Sequence, residues 1–178
     1  LYQIHHPTVD VIDQDEVFET LEDLKTEGKI RYYGVALDGG FEEGEAAMRK
    51  RSVRSLEIVY SIIEQDIALK LGPMASGEGI GLICRSPYAY EILTGQYDYT
   101  ATAGSFHKIS NHQRQWLRTA SEKVGLLGFL AMDTGRTLAQ ASIKFCLSHG
   151  SMVSVLPNIT NVQELEEYSG ASEVSALS

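Results

Sequence analysis

The side chains best suited to chemistry stand where apolar runs stop. His5 closes the run Leu1–His5. Near neutral pH an imidazole donates to a carbonyl oxygen or shuttles a proton. The plainer reading is a strand-end His bonded to a backbone carbonyl. His6 is adjacent and is expected to project to the other side of an extended strand. Later runs stop at Ala36-Leu37, at Ser61 to Gln65, at Arg85-Ser86-Pro87 and at Pro157-Asn158. The stretch from Leu156 to Asn161 leads from a strand into a helix start, where free amides and the helix dipole favour an anion such as a nucleotide phosphate. An ordinary connection with Asn161 as N-cap explains it equally well. Gly77-Glu78-Gly79-Ile80-Gly81 precedes a strand instead of following one, so it reads as a helix-to-strand turn and not as a phosphate loop. His107 and His112 lack a third metal ligand and read as solvated loop residues. The acidic groups around Asp13, Glu42 and Glu164 read as solvated helix faces. Four tyrosines, Tyr88, Tyr90, Tyr97 and Tyr99, line a substrate opening or pack a loop.

These residues need elements to hold them. Leu1 to His5 reads as a buried strand ended by Pro7. Asp13 is the expected N-cap of a helix in which Val17, Leu21 and Leu24 form an apolar stripe, widened by Phe18. Gly28 suits the residue after its end. Strands follow at Ile30–Val35, Leu56–Ile63, Gly79–Cys84 and Met152–Leu156. Helices are expected at Phe41–Lys50, Asp66–Ala75, His112–Val124, Leu126–Met132, Leu138–His149 and Val162–Ser169. Pro73 is expected to kink or shorten the second of these. Thr137 and Asn161 are the expected caps of the last two. The stretch from Tyr88 to Asn111 shows little periodicity, and loops of that length are usually functional or flexible.

Five apolar strands alternating with helices imply parallel βα units, because parallel neighbours need crossovers. Near-continuous apolar strands imply a sheet covered on both faces. Either an open doubly wound sheet or part of a (β/α)₈ barrel fits, and in both the ligands gather beyond the C-terminal strand ends.

The 178 residues suffice for one substantial core, and the 43% hydrophobic and 22% charged fractions are globular values. The net charge of −9 argues against nucleic-acid binding. No apolar run reaches the roughly 20 residues of a membrane span, and a cytoplasmic protein is the base expectation. Cys84 and Cys146 each lie in an apolar stretch and read as buried thiols.

Taken in order, several segments resemble the aldo-keto reductase family. They are Leu1 to Pro7, Leu24 to Val35, Ile58 to Gln65, Gly79 to Pro87 with Leu93-Thr94-Gly95, Thr137 to Ala141, and Val155-Leu156-Pro157. The resemblance covers nearly all of residues 1–178. It implies an α/β fold, a partial (β/α)₈ barrel of about five βα units from the fourth strand onward. It also implies NADP or NAD as cofactor, reduction of a small carbonyl substrate, and a chain that is the C-terminal part of the reductase domain. The family's catalytic set is Asp, Tyr, Lys and His. The resemblance puts the first three before residue 1 and leaves His5 to orient and polarise the carbonyl oxygen, so the chain alone is expected to be inactive.

The implied cofactor contacts are Glu57, Arg85, Ser86, Pro87, Asn158, Glu164 and Glu167. Several depart from the family pattern. Ala36-Leu37 replaces the common Ser-Asn that contacts the nicotinamide amide, and Glu57 replaces a Gln. Arg85 stands where an aromatic ring often stacks on the nicotinamide, and its charge would alter affinity for the two redox states. Asn158 replaces a Gly, and Thr160 replaces an Arg that holds the 2′-phosphate. Loss of that cation and gain of Glu164 weaken the case for a strong NADPH preference and point to NADH use or weakened binding. A noncatalytic cofactor-binding or regulatory module is the alternative. An α/β hydrolase ranks last, because no G-x-S-x-G elbow is present. Open edges on a five-strand sheet lead to an expectation of poor solubility for the isolated chain.

Overall fold

A computed structural model describes residues 1–94, 111–175 and 177. The expectations for Tyr97, Tyr99 and His107 lie outside the described residues.

The chain divides into two compact units. The first comprises Leu1–Tyr60, Glu64–Arg85 and Leu147–Leu156; the second comprises Ser61–Ile63, Ser86–Cys146 and Pro157–Ser178. The first unit holds one parallel sheet of five strands in sequence order. They are β1 (Tyr2–His5), β2 (Tyr33–Ala36), β3 (Ser55–Val59), β4 (Gly81–Arg85) and β5 (Met152–Leu156). Its helices are α1 (Val9–Ile12), α2 (Asp15–Thr26), α3 (Phe41–Lys50) and α4 (Asp66–Glu78). The alternation read from the sequence is therefore present, with β2 and β3 shorter than their apolar runs.

Two helix signals act differently from expectation. Asp13, expected to cap α2, instead ends an unforeseen earlier helix that Thr8 opens, its Oγ1 accepting the Val11 amide at 3.4 Å. That helix lasts one turn, and Asp13 pairs with Lys50. Gln14 then precedes α2, whose first turn carries Asp15 and Glu16 where the dipole favours them. Pro73 sits inside α4 without ending it. The carbonyl its missing N–H would have served belongs to Leu69, on the exposed side of the helix. The neighbouring Gly72 carbonyl accepts from Ser151 Oγ at 2.9 Å.

The turns match expectation. Gly28, at φ +74°, follows α2 while the Lys29 amide returns to the Leu24 carbonyl at 2.9 Å. Gly79, at φ +65°, ends α4 and turns the chain into β4.

Strand register sorts the side chains onto two unlike faces. Ile4, Val35, Leu56 and Leu82 lie abreast, followed by Ile58 and Cys84. From Val35 to Cys84 these are completely buried. Tyr33 lies on this face, its ring 6.2 Å from that of Phe18 on α2 and its hydroxyl donating to Glu22 at 2.7 Å. The opposite face carries Gln3, His5, Gly34, Ala36, Ser55, Glu57, Ile83 and Arg85. Near-continuous apolar strands, in a sheet covered on both faces, were expected. One face instead carries mostly polar or very small side chains, with Ile83 and Val59 as its large apolar members. Apolar neighbours on the alternate positions hide this face when the strands are read as hydrophobic runs. Gly34 is required there, because a Cβ would strike both the hydroxyl and the carbonyl of Ser55.

The second unit contains α5 (Asn111–Val124), α6 (Leu138–Cys146 within Leu138–Ser148) and α7 (Val162–Ser169). Short 3₁₀ turns lie at Ile92–Thr94, Gly125–Leu130 and Gly170–Ser172. Tyr88, Ala89, Leu93, Ala139, Ile143 and Tyr168 form its core. Thr137 caps α6 reciprocally: its hydroxyl accepts the Gln140 amide at 3.1 Å, and Gln140 Oε1 accepts the Thr137 amide at 3.0 Å. Asn161 caps α7 by accepting the Glu164 amide at 2.9 Å. Both cysteines are buried and form no disulfide among the described residues.

Candidate functional site

In the first unit the polar face culminates at the C-terminal strand ends. His5 ends β1 opposite Ala36, Ala36 lies opposite Glu57, and Arg85 ends β4 on the same face. The register thus brings together three of the site residues inferred from sequence. His5 is exposed and stacks on His6, with ring centroids 3.7 Å apart and planes 19° from parallel.

That stack corrects the expectation for His6. Its amide still pairs with the Ala36 carbonyl at 2.8 Å, but its φ of +50° leaves extended geometry. The alternation rule fails at this residue, and both imidazoles lie together. His6 Nδ1 is 3.7 Å from Asp38 Oδ1.

Arg85 is the centre of the charged groups here. Its Nη2 donates to the Leu37 carbonyl at 2.8 Å and lies 3.7 Å from Asp38 Oδ1. Its Nε is buried without a hydrogen-bond acceptor, and Glu57 Oε1 lies 3.9 Å away. Burial raises the Glu64 carboxyl above the usual carboxylate range, and the charge of Arg85 opposes that rise. Asp38 was not singled out from sequence, and Glu64 entered only within the strand-end stretch Ser61 to Gln65. Their place in an acidic chain carries no local signal, and only the fold brings them to Arg85.

Ser86, Pro87, Asn158, Glu164 and Glu167 belong to the second unit. Ser86 opens a strained turn: Ser86, Ala89, Tyr90 and Glu91 have φ of +56°, +49°, +58° and +67°. Positive φ in four non-glycine residues so close together stores strain of the kind found at ligand sites. Pro87 is buried, and the Ala89 amide donates to the Ser86 carbonyl at 2.9 Å. Buried Tyr88 lies with its ring 4.7 Å from that of Tyr168, and burial pushes its hydroxyl well above the usual phenol range.

Asn158 Nδ2 donates to Glu91 Oε1 at 3.4 Å. Burial raises the Glu91 carboxyl, and this hydrogen bond opposes the rise. Glu164 folds back on the connection before α7, accepting the Thr160 amide at 2.6 Å and the Thr160 hydroxyl at 2.9 Å. These bonds hold its carboxyl below the usual range. Glu167 uses its carbonyl to accept Gln140 Nε2 at 2.9 Å. Glu91 was missed from sequence, because nothing in a Tyr-Glu-Ile run announces a left-handed residue.

No helix among the described residues is long and apolar enough to cross a membrane. Among the described residues, no group of three or more His, Cys, Asp and Glu side chains is placed to hold a metal ion.

Parallel strands in sequence order, with polar groups massed beyond their C-terminal ends, define a β/α-barrel type of architecture. The chain belongs to the aldo/keto reductase family, whose profile matches residues 1–178. An uncharacterized oxidoreductase, YqkF of Bacillus subtilis, is 26% identical over 181 residues, covering 99% of this chain and 56% of the relative. A probable voltage-gated potassium channel subunit beta of Arabidopsis thaliana is 29% identical over 136 residues, covering 68% of this chain and 42% of the relative. Among solved structures, the holo form of aldo-keto reductase AKR11C1 from Bacillus halodurans superposes with a TM-score of 0.72. It is 22% identical, and the match covers 99% of this chain and 56% of that one. The chain therefore spans about half the length of the relatives it matches, and its five-strand sheet corresponds to part of their barrel.

Proposed function

We propose that residues 1–178 form part of a nicotinamide-dependent reductase of small aldehydes or ketones, with NADH favoured over NADPH. The observation that carries this reading is the sheet face shared by His5 and Arg85, which end β1 and β4, and Glu57 within β3. His5 is the exposed donor suited to a carbonyl oxygen, and it orients and polarises that oxygen. Glu57 offers a carboxylate acceptor to a carboxamide, and Arg85 offers a planar face to a nicotinamide ring. A bound nicotinamide dinucleotide would supply the hydride. The family's Asp, Tyr and Lys have no counterpart at matching positions in these residues.

The second unit supports the choice of nucleotide. A 2′-phosphate needs donors and a cation, yet the Thr160 amide and hydroxyl already serve the Glu164 carboxylate. No Lys or Arg lies between Pro157 and Ser178. The carboxylates of Glu164 and Glu91 repel further negative charge there.

A regulatory reading is favoured by one finding, the likeness to proteins described as probable potassium channel beta subunits. The two readings separate on turnover. The full-length gene product is assayed for oxidation of NADH and NADPH with a panel of aldehydes. The reductase reading expects turnover with NADH that His5→Ala lowers by about 100-fold or more. Cofactor binding with no turnover on any aldehyde, in wild type, would replace it with the regulatory reading.

A further inference from the structure

Arg85 sits among carboxylates in an unusual way. One edge of its guanidinium is pinned by the Leu37 carbonyl at 2.8 Å. Glu57 and Asp38 lie 3.9 Å and 3.7 Å away, too far for hydrogen bonds yet close enough to offset its charge. The Nε is buried and lacks an acceptor. The pinned edge therefore fixes the plane, while the carboxylates adjust its charge across a gap. The exposures of the pair are unequal. The Glu57 side chain is 18% exposed and that of Asp38 is 77% exposed, so solvent screens Asp38 far more.

A nicotinamide ring is cationic when oxidised and neutral when reduced. An unbalanced guanidinium against that ring would repel the oxidised form and leave the reduced form nearly unaffected. We propose that Glu57, assisted by Asp38, is the positioning residue that balances the charge of Arg85 and so sets the relative affinity of this surface for oxidised and reduced nicotinamide. This inference rests on the cofactor reading above. It concerns the carboxylates that face Arg85 and not the stacking position itself.

Isothermal titration of the full-length gene product with NAD⁺ and with NADH tests it. Glu57→Gln should weaken NAD⁺ by about tenfold relative to NADH, as expected for one charge acting over a few ångströms at a partly buried site. Asp38→Asn should shift the ratio the same way by less. Glu57→Asp should restore most of the wild-type ratio. Arg85→Gln combined with Glu57→Gln should bring the ratio back near wild type, because the uncompensated charge is gone. Equal loss of affinity for both forms in Glu57→Gln would confine Glu57 to the carboxamide contact or to structure, and would overturn the proposal while leaving the cofactor reading intact. Binding of neither form by wild type would overturn the cofactor reading and the proposal with it.

Discussion

Gly34 offers the sharpest test of how the polar face is built. It lies in β2 opposite Ser55 of β3, two residues before the positions that align Ala36 with Glu57. A Cβ added there meets the Ser55 hydroxyl and carbonyl oxygen, with the carbonyl carbon 3.1 Å away. Ordinary carbon contacts begin near 3.5 Å. The hydroxyl can rotate aside, but the carbonyl belongs to the strand backbone and moves only if β2 and β3 separate. Overpacking of this kind costs about 3 kcal/mol, the upper end of its usual range. Loss of unfolded-chain freedom on replacing glycine returns up to about 1 kcal/mol. Gly34→Ala is therefore expected to destabilise by about 2 kcal/mol. Gly77, inside α4, is the control, since an added Cβ there meets nothing within 4 Å. Gly77→Ala should stabilise by about 1 kcal/mol through helix propensity. With a urea slope of about 2 kcal/mol/M, the two midpoints should move about 1 M down and about 0.5 M up. Urea titration followed by circular dichroism of the full-length product reads both. A Gly34→Ala midpoint within about 0.2 M of wild type, about 0.4 kcal/mol on that slope, would refute the close approach of β2 and β3.

Two further outcomes depend on pH. Burial and the hydrogen bond to Glu22 push the Tyr33 phenol up to about 12 from its ordinary value near 10. Its contribution to stability is full below pH 10 and is lost as pH rises through about 12, a change on the order of 2 to 3 kcal/mol that Tyr33→Phe should abolish in alkaline melting curves. The Glu164 carboxyl is held low by Thr160, so its contribution is present above the unfolded carboxylate value and fades as pH falls through the lower folded one. Glu164→Gln should flatten that acid limb in melting curves, and adding Thr160→Arg should raise NADPH affinity at least several-fold in titrations.

The fold was legible where one residue type decides the local outcome. Gly28 and Gly79 adopt left-handed backbone, and Thr137 and Asn161 cap their helices, as their types and positions imply. His5 and Arg85 could be placed at strand ends because apolar runs stop there. What stayed hidden depends on pairing between distant segments. The polar face exists only once β1 to β4 are set in register, since Gln3 and Glu57 are each flanked by apolar residues. Asp38 and Glu64 gain meaning only beside Arg85. His6 escaped because a single positive φ defeats the alternation rule, and Asp13 because Thr8 caps an earlier turn. Pro73 escaped because the carbonyl it leaves unserved lies on the exposed side of α4.

The order of the sheet also has a kinetic side. β1 to β4 each pair with the strand nearest in sequence, so this part of the sheet can grow one βα unit at a time as the chain leaves the ribosome. β5 is different: the whole of Ser86–Ser151 is synthesised between it and its partner β4. Until then the far edge of β4 presents unpaired backbone, a template for the wrong strand. The last pairing also has a register irregularity at Leu82/Ile83, where Val153 is the extra residue. Docking of β5 is therefore the step at which nascent chains are most exposed to aggregation, and it should be the slow phase of refolding.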